Sequence, residues 1–457
     1  MSSMVAAESS KRIAVFSHGG VKNLGDEALV AAVIQNVRAR IPAVDLIGFT
    51  FNPDDTRERH GIPAFPIRRV QKSLVASSIS ATTHVFGRGG SRVGAFKETL
   101  KRIRGVAALA RTVRAFLRKS ANILSEPKFL LDSYRRLKGV ELLLVAGSQQ
   151  LNDAYGGTWG FPFTLYKWSL LARITRTKVA ILSVGAGPIK SSLSKFFFKQ
   201  VLKSVSYRSY RDDISGRLVA SMGVKGDHPV FPDLVYSLRL PDPTPGAKPA
   251  GQVVVGTNPI PFFDGRYWYE ANSALYKKYV AKMAHFAKWL DSSGHAILFF
   301  PTQARADVLT ILDIRRAMNG SGHSEGLLPS CPIHDLKSLV SEISRADLVV
   351  ANRYHGILIS LALGKPVIGM AYHEKSRALM EQVGQGQYVV NCAEFEVEDL
   401  IASFRSLEAN APAIRKQIAE HMAPLRRALD QQYENVFALI GVAPAGLAST
   451  DGSRCDS

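Results

Sequence analysis

The amino-acid sequence predicts an α/β protein: two doubly wound domains, each on a parallel sheet, whose carboxyl edges face a common cleft. Three observations lead there. Short apolar runs rich in Val, Ile and Leu alternate with longer helical patterns, first between residues 12 and 209 and again between 252 and 370. A segment with four prolines and no apolar periodicity, LRLPDPTPGAKPAG from Leu238 to Gly251, separates the two series. At 457 residues the chain is too long for one ordinary core and suits two domains of about 200 residues each.

The first series holds strands at Arg12–Ser17, Val44–Thr50, Glu141–Ala146, Lys178–Val184 and Ser204–Ser209. The second holds Gln252–Gly256, Ala296–Phe300, Asp347–Ala351 and Pro366–Met370. This sets a first domain at 1–240, a linker at 241–251, a second domain at 252–442 and a tail at 443–457. The tail, APAGLASTDGSRCDS, is small and polar, which predicts disorder.

The formal charge of +20 is uneven: from Arg68 to Lys138, 17 Lys and Arg face three acids. This stretch reads as an insertion in the first domain. Within it, GRGGSRVG follows no strand and lacks the Gly-Lys-Ser/Thr ending of a phosphate loop. Between residues 95 and 119, Phe96, Leu100, Ile103, Ala107, Ala110, Val113 and Leu117 recur at spacings of three and four, with Lys97, Lys101 and Arg104 on other faces. That is a basic amphipathic helix. Two readings stay open: packing on its own domain, or peripheral contact with anionic lipid at the inner membrane face. No aromatic interleaving accompanies the charge, so nucleic acid is not an expected partner.

No apolar run approaches the roughly 18 residues of a membrane span. The amino terminus lacks the basic and long apolar regions of a signal peptide. Cys331, Cys392 and Cys455 share no metal-ligand or redox spacing, so the sequence predicts no metal site and a reducing, cytoplasmic location.

In open α/β sheets, ligands sit beyond the carboxyl ends of the strands. The polar groups expected there include His18, the Asn23-Leu24-Gly25-Asp26-Glu27 turn, Gly147-Ser148, Arg211-Asp212 and Arg353-Tyr354-His355. Arg353 and His355 stand at the start of the apolar helix ILISLALG, and Lys375 closes the following strand. Helix starts offer free N–H groups and a positive dipole end. Arg grips an anionic group bidentately while Lys acts as a point charge. The cluster therefore predicts a small, multiply charged anion bearing a carboxylate and a phosphate.

The stretch ADLVVANRYHGILISLALGKPVIGMAYHEK, residues 346–375, resembles the carboxyl-terminal signature of the polysaccharide pyruvyl transferase family. That signature runs strand, Arg-x-His-Gly, helix, Gly-x-Pro-Val, strand, Tyr and Lys. GGVKNLGDEAL, LSVGAGPI and YRSYRDDIS resemble three further family segments in the expected order. The resemblance implies a glycosyltransferase-B-like fold of two Rossmann-like domains. It implies transfer of pyruvate from phosphoenolpyruvate, a donor substrate with no further cofactor, to two hydroxyls of one sugar, leaving a cyclic ketal and phosphate. By position, Arg211, Arg353, His355 and Lys375 would bind phosphoenolpyruvate, with Arg353 and His355 catalytic and His355 the general acid. The acceptor, a nucleotide- or lipid-linked sugar, would meet Asn23, Asp26, Glu27, Asn152 and Asp153 in the first domain. Asp26, Glu27 and Asp153 are open as its base.

The enol chemistry independently asks for an acid, because C2 of phosphoenolpyruvate becomes electrophilic only after C3 is protonated, and histidine titrates near working pH. Ala146-Gly147-Ser148 departs from the three glycines common in the family, and QQLNDAYGGTWGFP after it is long and aromatic, which leaves the sugar open. Trp159, Phe161 and Phe163 are expected in the core. Two other functions remain open: a glycosyltransferase using a nucleotide sugar, and a non-enzymatic basic membrane-associated scaffold.

Overall fold

The computed structural model describes residues 10–18, 23–69, 126–154, 156–242, 251–268, 270–303, 306–319 and 333–443. The expected basic helix at 95–119, the GRGGSRVG stretch, residues 243–250 of the linker and the tail from 444 lie outside these residues.

Strands β1 (Arg12–Phe16), β2 (Asp45–Thr50), β3 (Ala64–Pro66), β4 (Leu142–Ala146), β5 (Lys178–Val184) and β6 (Tyr207–Tyr210) form the first sheet. All its pairings are parallel, in the order β3-β2-β1-β4-β5-β6. Strands β7 (Val254–Asn258), β8 (Ala296–Phe299), β9 (Leu348–Ala351), β10 (Val367–Ala371) and β11 (Val389–Asn391) form the second, again parallel, in the order β11-β10-β9-β7-β8. Helices cover both faces of a parallel sheet, so its central strands carry unbroken apolar runs rather than alternation. Leu142 to Ala146 shows this, with all five residues buried.

Both strand orders place the ligand position. The first sheet reverses direction between β1 and β4, and the second between β7 and β9. Crevices open beyond the carboxyl ends at such reversals. The carboxyl ends of these strands and the segments just after them carry His18 and Asn23, Gly147 and Ser148, Asn258, and Arg353 to His355.

The lobes touch directly at that level. Asn23 bridges to Gln303, and Leu24 N–H donates to the Thr302 carbonyl at 3.3 Å. The last helix, Ala411–Ala438, also joins them. Its Gln432 is fully buried, accepts from Ser209 Oγ at 2.5 Å and donates to Ser183 Oγ at 3.2 Å, both in the first sheet. The expected second domain at 252–442 thus ends in a helix packed on the first.

Candidate active site

The loop after β9 is fixed before any ligand arrives. Asn258, fully buried at the end of β7, donates from Nδ2 to the Phe300 carbonyl at 2.8 Å and accepts from the Arg353 N–H at 3.3 Å. A Cβ on Gly356 would sit 2.3 Å from Asn258 Oδ1, so the signature glycine is there to admit this amide. Arg353 is the N-cap residue and Tyr354 opens the helix Tyr354–Ala362, which places His355 inside the first turn rather than ahead of it. Lys375 likewise lies in the first turn of helix Glu374–Gln382, four residues past the end of β10.

Two cationic groups converge here, one from each lobe. Arg211, at the end of β6, lies 4.6 Å from the Tyr354 ring centroid, and Lys375 Nζ lies 5.7 Å from the same ring. Arg211 is buried and donates to Asp233 at 3.2 Å and to Gln149 Oε1 at 3.3 Å. Asp233, also buried, accepts from the Tyr354 hydroxyl at 3.4 Å. Burial, then Arg211 and more weakly Arg353, pull the Lys375 ammonium down to about 8 against the opposing pull of Asp26 and Asp212. Desolvation is the main cause, with repulsion from the neighbouring guanidinium behind it.

His355 shares this environment. Burial lowers its pKa, Arg211 and Lys375 add to that, and Asp233 and Asp26 oppose it. Its Nε2 is buried and has no hydrogen-bond partner among the described residues. The ring packs into the other lobe: a Cβ on Gly25 would sit 2.0 Å from His355 Cγ. Gly25 therefore makes the hollow that receives this imidazole.

Arg353 differs from the expectation that it simply faces the ligand. Its guanidinium is engaged by Asp307, with Nη2 at 2.6 Å and Nε at 3.0 Å, and by Gln303 Oε1 at 2.7 Å. Asp307 is fully buried and also accepts from the N–H groups of Thr302 and Gln303 at 3.1 and 2.8 Å. The pair orients Arg353 and ties the site to the loop that touches Asn23.

The expected acceptor residues separate into two groups. Asp26 stands at the cleft, accepting from Ser148 Oγ at 2.8 Å and from Asn23 Nδ2 at 2.9 Å, while Asn23 Oδ1 caps Gly25 N–H at 3.1 Å. Glu27 turns the other way, buried 2.9 Å from His60 Nε2. Asp153 staples a loop, accepting from the N–H groups of Ser191 at 2.8 Å and Lys190 at 3.0 Å. Burial would raise its pKa, and these N–H groups outweigh that and lower it. Asn152 is buried and spends its amide on the Gln149 carbonyl and the Ala154 N–H. His18 stacks on Phe51 at 5.3 Å and meets Phe161 at 3.9 Å, and burial followed by Arg68 lowers it to about 3. Phe161 is core as expected, but Trp159 is 68% exposed.

Sequence reasoning missed Asp233 and Asp307, whereas Gln149 belongs to the Gly147-Ser148-Gln149-Gln150 stretch expected beyond the third strand. Nothing in a lone Asp within PDLVYS or ADVLT marks it as buried. The only available signal was arithmetic: buried cations such as Arg211 and Arg353 require buried acids.

No curated protein matches the chain. Among solved structures it is similar to a putative UDP-N-acetylglucosamine 2-epimerase from Listeria monocytogenes, with TM-score 0.54, 9% identity, and 94% of this chain and 98% of that one covered. It is also similar to the UDP-GlcNAc 2-epimerase from Neisseria meningitidis, with TM-score 0.52, 12% identity, and 94% and 99% covered. A glycosyltransferase from Rickettsia africae gives TM-score 0.51, 8% identity, and 94% and 99% covered. At such identities the likeness establishes the glycosyltransferase-B-like fold and nothing finer. The polysaccharide pyruvyl transferase model matches residues 23–374, which span the interlobe contact at Asn23, the Arg211 and Asp233 pair and the Arg353 to His355 turn. The chain belongs to the polysaccharide pyruvyl transferase family.

Proposed function

We propose that the cleft moves pyruvate from phosphoenolpyruvate onto a sugar of a nucleotide- or lipid-linked glycan precursor, forming a cyclic ketal and releasing phosphate. The observation that carries this is the crowding of Arg211 and Lys375 around the buried Tyr354 ring, with the His355 ring 5.3 Å from it. Two largely desolvated like charges are poorly stable side by side, and a bound multiply charged anion relieves them. Three helix starts, at Leu24, Tyr354 and Glu374, add positive dipole ends to the same region.

Arg211 and Lys375 hold the donor's carboxylate and phosphate from opposite lobes. Arg353, kept charged and oriented by Asp307, supports them. His355 gives its proton to C3, one sugar hydroxyl adds to C2, and the second displaces phosphate by cleavage of the C2–O bond. Two hydroxyl protons are lost; one balances that given to C3 and the other leaves with phosphate. Asp26 is the base, because Glu27 and Asp153 are committed to His60 and to backbone. No cofactor enters this scheme.

In the free protein His355 is neutral for the reasons above. Bound donor adds negative charge and raises its pKa, so the acid is loaded when its substrate is present. Phosphate release from phosphoenolpyruvate across a panel of sugar acceptors tests the reading. Turnover that needs a sugar and fails in His355→Gln supports it. Thermal protection by nucleotide sugars alone, with no response to phosphoenolpyruvate, would falsify it in favour of glycosyl transfer.

A further inference from the structure

A helix in a doubly wound fold normally carries one apolar stripe, facing the sheet. The helix Phe161–Thr175 carries two. Leu165, Trp168 and Ala172 are buried against the first sheet, whereas Leu170 and Ile174, four residues apart, are 42% and 67% exposed. The neighbouring helix Ser192–Ser204 repeats the pattern, with Phe198 and Val201 buried and Leu193 and Phe196 exposed by 42% and 47%. Ring contacts join the two: Tyr166 stacks on Phe197 at 5.0 Å, and Trp159 meets Phe197 at 5.9 Å. Trp159 and Phe196 are thus the exposed edge of one aromatic array rather than scattered residues.

The charge around this array is mostly positive. Between Asp153 and the buried Arg211 the sequence has nine Lys or Arg and no acid, and the acid that meets the array, Glu126, is paired with Lys167. We propose that this face docks on an anionic lipid bilayer, with Trp159, Ile174 and Phe196 entering the interface and the surrounding lysines and arginines meeting headgroups. Amphipathic aromatics ringed by basic residues suit the headgroup boundary. The chain's own residues 70–125 are the competing cover, because helix 126–137 resumes beside the array, where Glu126 pairs with Lys167 at 2.6 Å and Lys167 lies over Phe129. That segment holds eleven Lys or Arg and one acid, so laying it on a mostly basic face sets like charge on like. An anionic surface has the complementary sign. The proposal is independent of the pyruvyl-transfer reading. Thr158 and Ser194 hold the two helix starts together at 2.9 Å, and Asp153 ties them to the loop after β4, so the face begins at the sheet edge where the cleft opens.

Flotation of the full chain with phosphatidylcholine vesicles, with and without phosphatidylglycerol, tests it. Binding to the anionic vesicles, lost at high salt, is expected. A Trp159→Ser, Ile174→Ser, Phe196→Ser variant should bind about tenfold more weakly or worse, since it loses the apolar area that enters the interface. These residues are largely exposed and lose only edge contacts with Phe163, Tyr166 and Phe197, so the variant should stay folded with a melting temperature within a few degrees of wild type. A second readout is optical. Trp159 emission should shift to the blue on adding the vesicles, and Trp159→Phe should abolish the shift. Flotation without that shift would assign binding to another part of the chain and overturn the proposal. So would a solution dimer that the triple variant converts to monomer, or no flotation at low salt.

Discussion

His355 depends on a glycine in the opposite lobe. With its ring lodged where a Gly25 side chain would stand, Gly25→Ala must push the imidazole out of register. A misplacement near 1 Å in a catalytic group costs roughly 100-fold in rate. We expect Gly25→Ala to lose about that in kcat while melting within a few degrees of wild type, checked by phosphate release and calorimetry. Lys375 gives a pH test. Its pKa is lowered to about 8, so the protonated form that attracts the donor prevails below that pH and is lost above it. Phosphoenolpyruvate affinity should therefore fall as pH rises through about 8, and Lys375→Met should bind weakly with no such dependence. The place of His355 at a helix start was legible because Arg-x-His-Gly opens an apolar run after a strand. Asp233 and Asp307 were not, because a buried counter-charge has no local pattern; only the fold brings Asp307 to a residue 46 positions away.

Among the elements, central strands were readable because burial on both faces leaves an unbroken apolar run. β3 and β11, three residues each at sheet edges, are too short to show any period. The path of the helix Ala411–Ala438 was equally hidden: its pattern predicts a helix but not which sheet its end meets. The Arg353–Asp307 pair belongs to this scale, since it locks the β9 loop to the start of helix Ala306–Asn319. Asp307→Ala leaves a largely buried guanidinium without its counter-charge, and should destabilise the protein by about 3–5 kcal/mol in chemical denaturation. Adding Arg353→Met should recover part of that loss. An additive double variant would show that the pair is not coupled.

The whole molecule is a cleft with one lobe supplying Arg211, Asp26 and Gly25 and the other His355 and Lys375. Neither lobe alone assembles the cationic pocket, so the proposed chemistry belongs to the closed arrangement of both. The same logic predicts a pH signature for turnover. The alkaline limb of kcat, which reports the donor complex, should lie at higher pH than that of kcat/KM for phosphoenolpyruvate, which reports the free protein. Coincident limbs would mean that bound donor leaves His355 unchanged. The most direct measurement is a diffraction map of crystals soaked with phosphoenolpyruvate. Density for the intact anion should bridge Arg211 and Lys375 with C3 against His355. Density at any other place, or an undisturbed Arg211–Lys375 gap at saturating donor, would contradict a donor site built from both lobes.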